Sequence, residues 1–220
     1  MLNGRSAFIY AHPDDETFMS GCLIRQLADE GLKPVLLVAT RGDAGNKNGD
    51  YAHSSREELA GIRDGEMAEA ASILGLDTVE QLGHPDGKLN EVEAHRLALQ
   101  IVNFANAHDV ESLFTFPPDG GNGHPDHIAI SLAATLAFQS GKCESVRALY
   151  YSMSPGWVSE GRKPDLTIDA AKHWPVKAAA LRAHDSQKHA IRRYFGALED
   201  EVPNDRRFEE FVKIQFDIGG

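Results

Sequence analysis

Residues Ser6 to Glu16 read SAFIYAHPDDE, a short apolar run that stops at a proline between an imidazole and three carboxylates. A run of this length bounded by turn residues is the pattern of a buried strand. The pattern recurs at Pro34 to Ala39, Thr78 to Leu82 and Ser112 to Phe116, with further strands expected at Arg147 to Ser152 and Leu166 to Asp169. Between the runs lie Phe18 to Glu30, Ser55 to Leu74, Glu91 to Ala107 and His127 to Ser140, whose apolar residues recur at three- and four-residue spacing. Such alternation predicts an α/β, Rossmann-like fold, a largely parallel sheet flanked by helices. Ser54 with Glu57 is expected to form a capping box, and Gly31 and Gly75 stand where helix ends favour glycine. Trp174 begins another helix, followed by a charge-rich segment with no readable period.

The length of 220 residues, 42% of them hydrophobic, suits a single domain over residues 1–220. Acidic residues number 33 against 22 basic ones, a formal net charge of -11. That balance argues against nucleic acid and against anionic lipid as partners. The two cysteines, Cys22 and Cys143, form neither a disulfide framework nor a thiolate metal site. With no export signal and no apolar stretch of bilayer length, the expectation is a cytoplasmic protein with a small-molecule partner; self-association into a homo-oligomer is compatible with it.

The cluster His12-Pro13-Asp14-Asp15-Glu16 follows directly on the first strand. Carboxylates this close resist joint ionisation unless a cation sits among them. Asp14 and Asp15 can divide the work, one binding metal and one handling a proton. A second cluster, His124-Pro125-Asp126-His127, follows the fourth strand and a glycine-rich turn. Loops at the carboxyl ends of strands form the ligand crevice of an open parallel sheet, so the two clusters can meet there. Two imidazoles and one carboxylate with an open position form a catalytic zinc arrangement, although spacing alone does not choose between His124 and His127. Zinc would activate a water, a free carboxylate would take its proton, and a further imidazole would stabilise the oxyanion or protonate a leaving nitrogen. The loop Thr40 to His53 is long, rich in Gly, Asn and Asp, and placed to line a pocket.

The segments AHPDDE (Ala11 to Glu16) and GHPDH (Gly123 to His127) resemble the PIG-L or LmbE-like zinc N-deacetylases. Thr40-Arg41-Gly42-Asp43, the helix bearing Arg63 and Glu66, Pro85 to Leu89, and Lys177 to Gln187 resemble further segments of that family in the same order. The resemblance implies zinc on His12, Asp15 and His127, one ion per chain, with Fe2+ or Co2+ able to use the same ligands. It implies Asp14 as general base and His124, oriented by Asp126, as oxyanion or leaving-group partner. It leaves Glu16 outside the metal's ligands and implies contacts of Asp43, Arg63 and Asp86 with an N-acetylated amino-sugar conjugate. Two departures stand out: Asp43 replaces a commoner Glu, and Asn122 stands where some members carry an aromatic residue.

Other readings compete. Arg63 on an acidic helix fits a surface ion pair, and Asp43 and Asp86 fit turn-forming residues. His184, Ser186 and Gln187 suggest a supporting rather than catalytic role. Within the deacetylase reading, Thr40 to Leu89 resembles deacetylases of the bacillithiol type; a rival, an amidase acting on a mycothiol- or bacillithiol-type thiol conjugate, would use the same zinc chemistry. A nucleotide-binding module is disfavoured because the first loop carries carboxylates instead of a glycine-rich phosphate cradle. A catalytically silent sugar-binding protein would not need Asp14.

Overall fold

The computed structural model describes residues 2–45 and 49–215. Asn46, Lys47 and Asn48, within the long loop expected from Thr40 to His53, lie outside the described residues. Seven strands, β1 (Ser6–Tyr10), β2 (Val35–Thr40), β3 (Thr78–His84), β4 (Ser112–Thr115), β5 (Ala148–Ser152), β6 (Leu166–Asp169) and β7 (Phe208–Lys213), form one sheet in the order β3-β2-β1-β4-β5-β7-β6. The first five run parallel, and β7 is antiparallel to both β5 and β6. The helices are α1 (Asp15–Asp29), α2 (Arg56–Leu74), α3 (Ala94–Ala107), α4 (Pro125–Gln139), α5 (Pro155–Ser159), α6 (Trp174–Ala183) and α7 (Lys188–Phe195). Among the described residues no helix is long and apolar enough to cross a membrane.

Every residue of β1, β2 and β4 is buried, which is why these strands read as continuous apolar runs rather than alternating ones. The rings of Phe8, Phe114 and Tyr150, on neighbouring strands, stack at centroid distances of 5.1 and 4.8 Å. Burying each such ring contributes about 1.5–3 kcal/mol. The edge strand β3 is only partly covered.

Local chemistry sets the helix ends. The capping box of α2 lies one residue beyond its expected place: Glu58 N–H donates to Ser55 Oγ at 3.2 Å and Ser55 N–H to Glu58 Oε2 at 2.7 Å. Ser55 has the extended backbone a cap requires. Gly75 ends this helix at φ 80°, a left-handed conformation suited to glycine. The helix α3 starts later than its apolar period suggests because the Glu93 carboxylate accepts from the amides of His95 and Arg96. By contrast α1 begins earlier, immediately after Asp14.

The sheet order runs outward from β1 through β2 to β3 on one side and from β4 to β5 on the other. The crossovers therefore change direction between β1 and β4, the place where an open α/β sheet leaves a crevice at its carboxyl edge. Both histidine clusters emerge there, one after β1 and one after β4. The unassigned C-terminal segment supplies β7, inserted between β5 and β6.

Candidate metal centre and active site

Three buried side chains converge at the crevice: His12 from the loop after β1, Asp15 from the first turn of α1, and His127 from the first turn of α4. His12 Nδ1 lies 3.3 Å from His127 Nε2 and 3.4 Å from Asp15 Oδ2, while His127 Nε2 lies 3.4 Å from Asp15 Oδ1. Ligand bonds of about 2.0–2.1 Å to a tetrahedral cation require donor atoms about 3.3–3.4 Å apart. The observed spacings have that size, so the residues fit a small divalent ion such as zinc.

The opposite ring atoms are held as metal-ligating imidazoles require. His127 Nδ1 donates to the Gly120 carbonyl at 3.1 Å, and its ring stacks on Phe116 at 3.9 Å with planes 7° apart. Gly120 has φ 70°, and a Cβ there would come within 3.0 Å of the His127 Cβ. His12 Nε2 lies 3.2 Å from Asp126 Oδ2 and 3.2 Å from Asp86 Oδ1. Burial disfavours the charged His12 imidazole, but Asp15, Asp126 and Asp86 outweigh burial and raise its pKa well above the ordinary value. Burial resists ionisation of Asp15 too, and His127 and His12 overcome it, lowering its pKa. The surroundings thus favour positive charge.

Asp126 reaches His124 through its backbone N–H and not through its carboxylate. The Asp126 carboxylate addresses His12 and accepts from the amides of Gly87 at 2.7 Å and Leu89 at 3.0 Å. His124 instead caps α4, its Nδ1 accepting the Asp126 backbone N–H at 3.2 Å. Its ring stands edge-on to that of His12 at 4.9 Å. Burial, followed by His12 and His127, lowers the His124 pKa and favours the neutral imidazole.

Asp14 precedes α1 at φ 100°, an uncommon conformation for a residue with a side chain. Its Oδ1 lies 3.3 Å from the Arg63 guanidinium. Burial pushes its pKa up to about 6, with Arg63 opposing and Asp15 adding to the rise. Arg63 is buried, not a surface residue, and also donates to the carbonyls of Gly42 and Pro13. Gly42 has φ 66°, and a Cβ on it would meet the guanidinium at 2.4 Å.

The three residues expected to contact the sugar each have partners within the protein. Arg63 lies behind Asp14, and Asp86 bridges His12 and the Ala44 amide, the latter at 2.7 Å. Asp43 accepts from Arg56 Nε at 2.6 Å, and Arg56 also donates to the Asp86 carbonyl. These contacts clamp the described part of the loop after β2 to the loop after β3.

Sequence reasoning gave His184, Ser186 and Gln187 a supporting role but did not find their partners, Glu16 and Glu66. Glu16 and His184 are both fully buried, with His184 Nε2 3.3 Å from Glu16 Oε1. Burial lowers the His184 pKa, but Glu16 outweighs it and the net shift is upward. Ser186 donates through its amide and hydroxyl to Glu66, at 2.6 Å each. The available signal was the third carboxylate of HPDDE, which needed a counter-charge of its own.

A family model described as PIG-L, GlcNAc-PI de-N-acetylase, matches residues 7–138, from β1 into α4. The chain belongs to the PIG-L family. One relative, the 1D-myo-inositol 2-acetamido-2-deoxy-alpha-D-glucopyranoside deacetylase of Saccharomonospora viridis, is 31% identical, with 82% of this chain and 84% of that protein covered. A probable N-acetyl-alpha-D-glucosaminyl L-malate deacetylase of Bacillus cereus is 28% identical, with 83% of each covered. Among solved structures, the N,N'-diacetylchitobiose deacetylase of Pyrococcus horikoshii matches with a TM-score of 0.72 at 21% identity over 96% of this chain and 83% of that one. The 4-carboxy-2-hydroxymuconate hydratase of Pseudomonas putida matches with a TM-score of 0.74 at 17% identity over 99% of each. The PIG-L fold therefore carries more than one chemistry, and the function must be argued from the site.

Proposed function

We propose that the chain is a metal-dependent hydrolase, with zinc as its metal, that removes the acetyl group from the nitrogen of an N-acetylglucosamine conjugate. The observation that carries this reading is the convergence of His12 Nδ1, Asp15 and His127 Nε2 beside a separately held carboxylate, Asp14. Support comes from the sequence relatives, named as deacetylases of inositol- and malate-linked N-acetylglucosamine derivatives.

His12, Asp15 and His127 would hold the metal, which when bound supplies Lewis acidity to water and to the amide carbonyl. Asp14 accepts the proton of the attacking water, and Arg63 fixes its carboxylate while limiting the rise in its pKa. His124, at the mouth of the triad, stabilises negative charge on the carbonyl oxygen or delivers a proton to the leaving nitrogen. Asp126 and Asp86 orient His12 and tie it to the loops after β2 and β3, where Asp43 stands with Arg56. These loops would bind the sugar conjugate, a small molecule met in the cytoplasm.

Acetate release tests this reading. Metal-replete protein is incubated with N-acetylglucosamine linked to inositol, to malate and to a second sugar. Release from at least one is expected and should cease on chelation; no release from any conjugate would overturn the proposal.

A further inference from the structure

Asp14 is held at its backbone as well as at its carboxylate. Its amide N–H donates to Glu16 Oε2 at 3.1 Å, which fixes the rotation of the peptide joining residues 13 and 14 at the point where φ reaches 100°. A residue with a side chain in that region is strained and persists only where its surroundings enforce it. On the other side of that peptide the Pro13 carbonyl accepts from Arg63. The unit carrying Asp14 is thus gripped at both of its polar atoms.

Glu16 can perform this task only while its own charge is matched. The residue has no solvent exposure. Its second oxygen, Oε1, accepts from the Thr17 hydroxyl and lies 3.3 Å from His184 Nε2. His184 also has no solvent exposure, and it follows α6, 168 positions further along the chain. Its Nδ1 has no hydrogen-bond partner among the described residues, so the ring's hydrogen-bond contacts there are those of Nε2 with Glu16 and Thr17. Neighbouring contacts lock the segment in place: Ser186 on Glu66, Tyr51 Oη on Asp185 at 2.7 Å, and Gln187 on Ser186.

From this arrangement we infer that Glu16 and His184 are positioning residues, which hold the backbone of residue 14 so that the Asp14 carboxylate meets the reacting water. Among the described residues neither side chain is hydrogen-bonded to the metal triad. The inference rests on Asp14 being the general base. It makes the segment around His184 part of the catalytic apparatus through a chain of contacts, His184 to Glu16 to the Asp14 amide.

The test uses the full-length protein with His184→Gln, Glu16→Gln, Asp14→Asn and the double variant His184→Gln/Asp14→Asn. Metal per chain, kcat and KM for acetate release, and the exchange rate of the residue-14 amide proton by NMR are measured on the same preparations. His184→Gln is expected to keep its metal, to lower kcat by about 10–100-fold because misplacement of a reacting group by an ångström has that order of effect, and to change KM by no more than about two-fold. Amide exchange at residue 14 should accelerate. In the Asp14→Asn background the same change should have no further effect on kcat, since the group it positions is already gone. Where His184→Gln does not fold, the isosteric Glu16→Gln carries the same readouts. Unchanged amide protection, or kcat losses that multiply in the double variant, would overturn the inference. Full turnover by metal-loaded Asp14→Asn would remove Asp14 as the base, while the amide-exchange measurement would still decide whether Glu16 holds residue 14.

Discussion

Nε2 of His12 stands 3.2 Å from Oδ2 of Asp126, a carboxylate that also receives the amides of Gly87 and Leu89. One side chain therefore orients an imidazole of the proposed metal centre and anchors the loop after β3. Asp126→Asn should weaken metal binding by about 10–100-fold, the usual cost of losing a carboxylate behind a ligating histidine. Competition against a calibrated chelator measures it. Affinity equal to that of the parent protein would show that Asp126 serves the loop alone.

Asp14→Asn and His127→Ala should fail in different ways. The first retains metal and loses about 10²–10⁴ in turnover, because an amide cannot accept the proton; the second loses the metal, because two ligands remain. Elemental analysis and acetate release on the same samples separate them. Loss of metal from Asp14→Asn would mean that the roles of Asp14 and Asp15 are exchanged.

Metal removal should lower the melting temperature as well as abolish activity, because an ion that binds only the folded chain stabilises it by mass action. Adding zinc back should restore both. Unfolding curves with and without chelator provide the check, and coincident curves would argue that no ion occupies the triad.

Arg63 is buried against Asp14, Gly42 and Pro13, and the proposed mechanism also gives it a part in the chemistry. Removing one partner of a buried ion pair costs about 3–5 kcal/mol, so Arg63→Ala should destabilise the protein as well as lower kcat. Gly42→Ala offers a milder test, since its Cβ would displace the guanidinium from its present place. Turnover should fall, with a smaller loss in denaturant midpoint than for Arg63→Ala. Parental kcat in Gly42→Ala would dissociate the position of Arg63 from catalysis.

Lys177 Nζ lies 2.7 Å from Glu209 Oε1 and donates to the Phe18 carbonyl, while Glu209 accepts from the amides of Cys22 and Leu23. Lys177→Met would leave a buried carboxylate unmatched, again at a cost of about 3–5 kcal/mol. Chemical denaturation should show that loss, with the metal-binding stoichiometry preserved. A stability change below about 1 kcal/mol would place the pair among weak ones.

Strands β1, β2 and β4 were legible because burial on both faces leaves an unmistakable apolar run, and HPDDE and HPDH were legible because charge of that density after such runs has few structural uses. The strand β7 was hidden because its face pattern is inverted: Phe208 is 53% exposed whereas Glu209 is 5% exposed. The distant Lys177 and the amides of Cys22 and Leu23 make that burial tolerable, and no local window contains them. For the same reason the partners of Asp126 and Glu16 were unreadable, since Gly87, Leu89 and His184 reach them through the tertiary fold. The capping box missed its place by one residue because Ser54-Ser55 and Glu57-Glu58 offer two equivalent registers.

The insertion of β7 between β5 and β6 also orders events in time. As the chain leaves the ribosome, β1 to β5 and both histidine clusters emerge first, whereas β6, complete at Asp169, has no neighbour in the sheet until synthesis reaches Phe208. At roughly 5–20 residues per second the wait lasts on the order of seconds. During that interval the exposed border of the growing sheet is β5, and Lys177 waits for the carboxylate that will neutralise it. Nascent chains stalled within that interval should bind chaperones that recognise open strand edges, and the arrival of the last strand should release them.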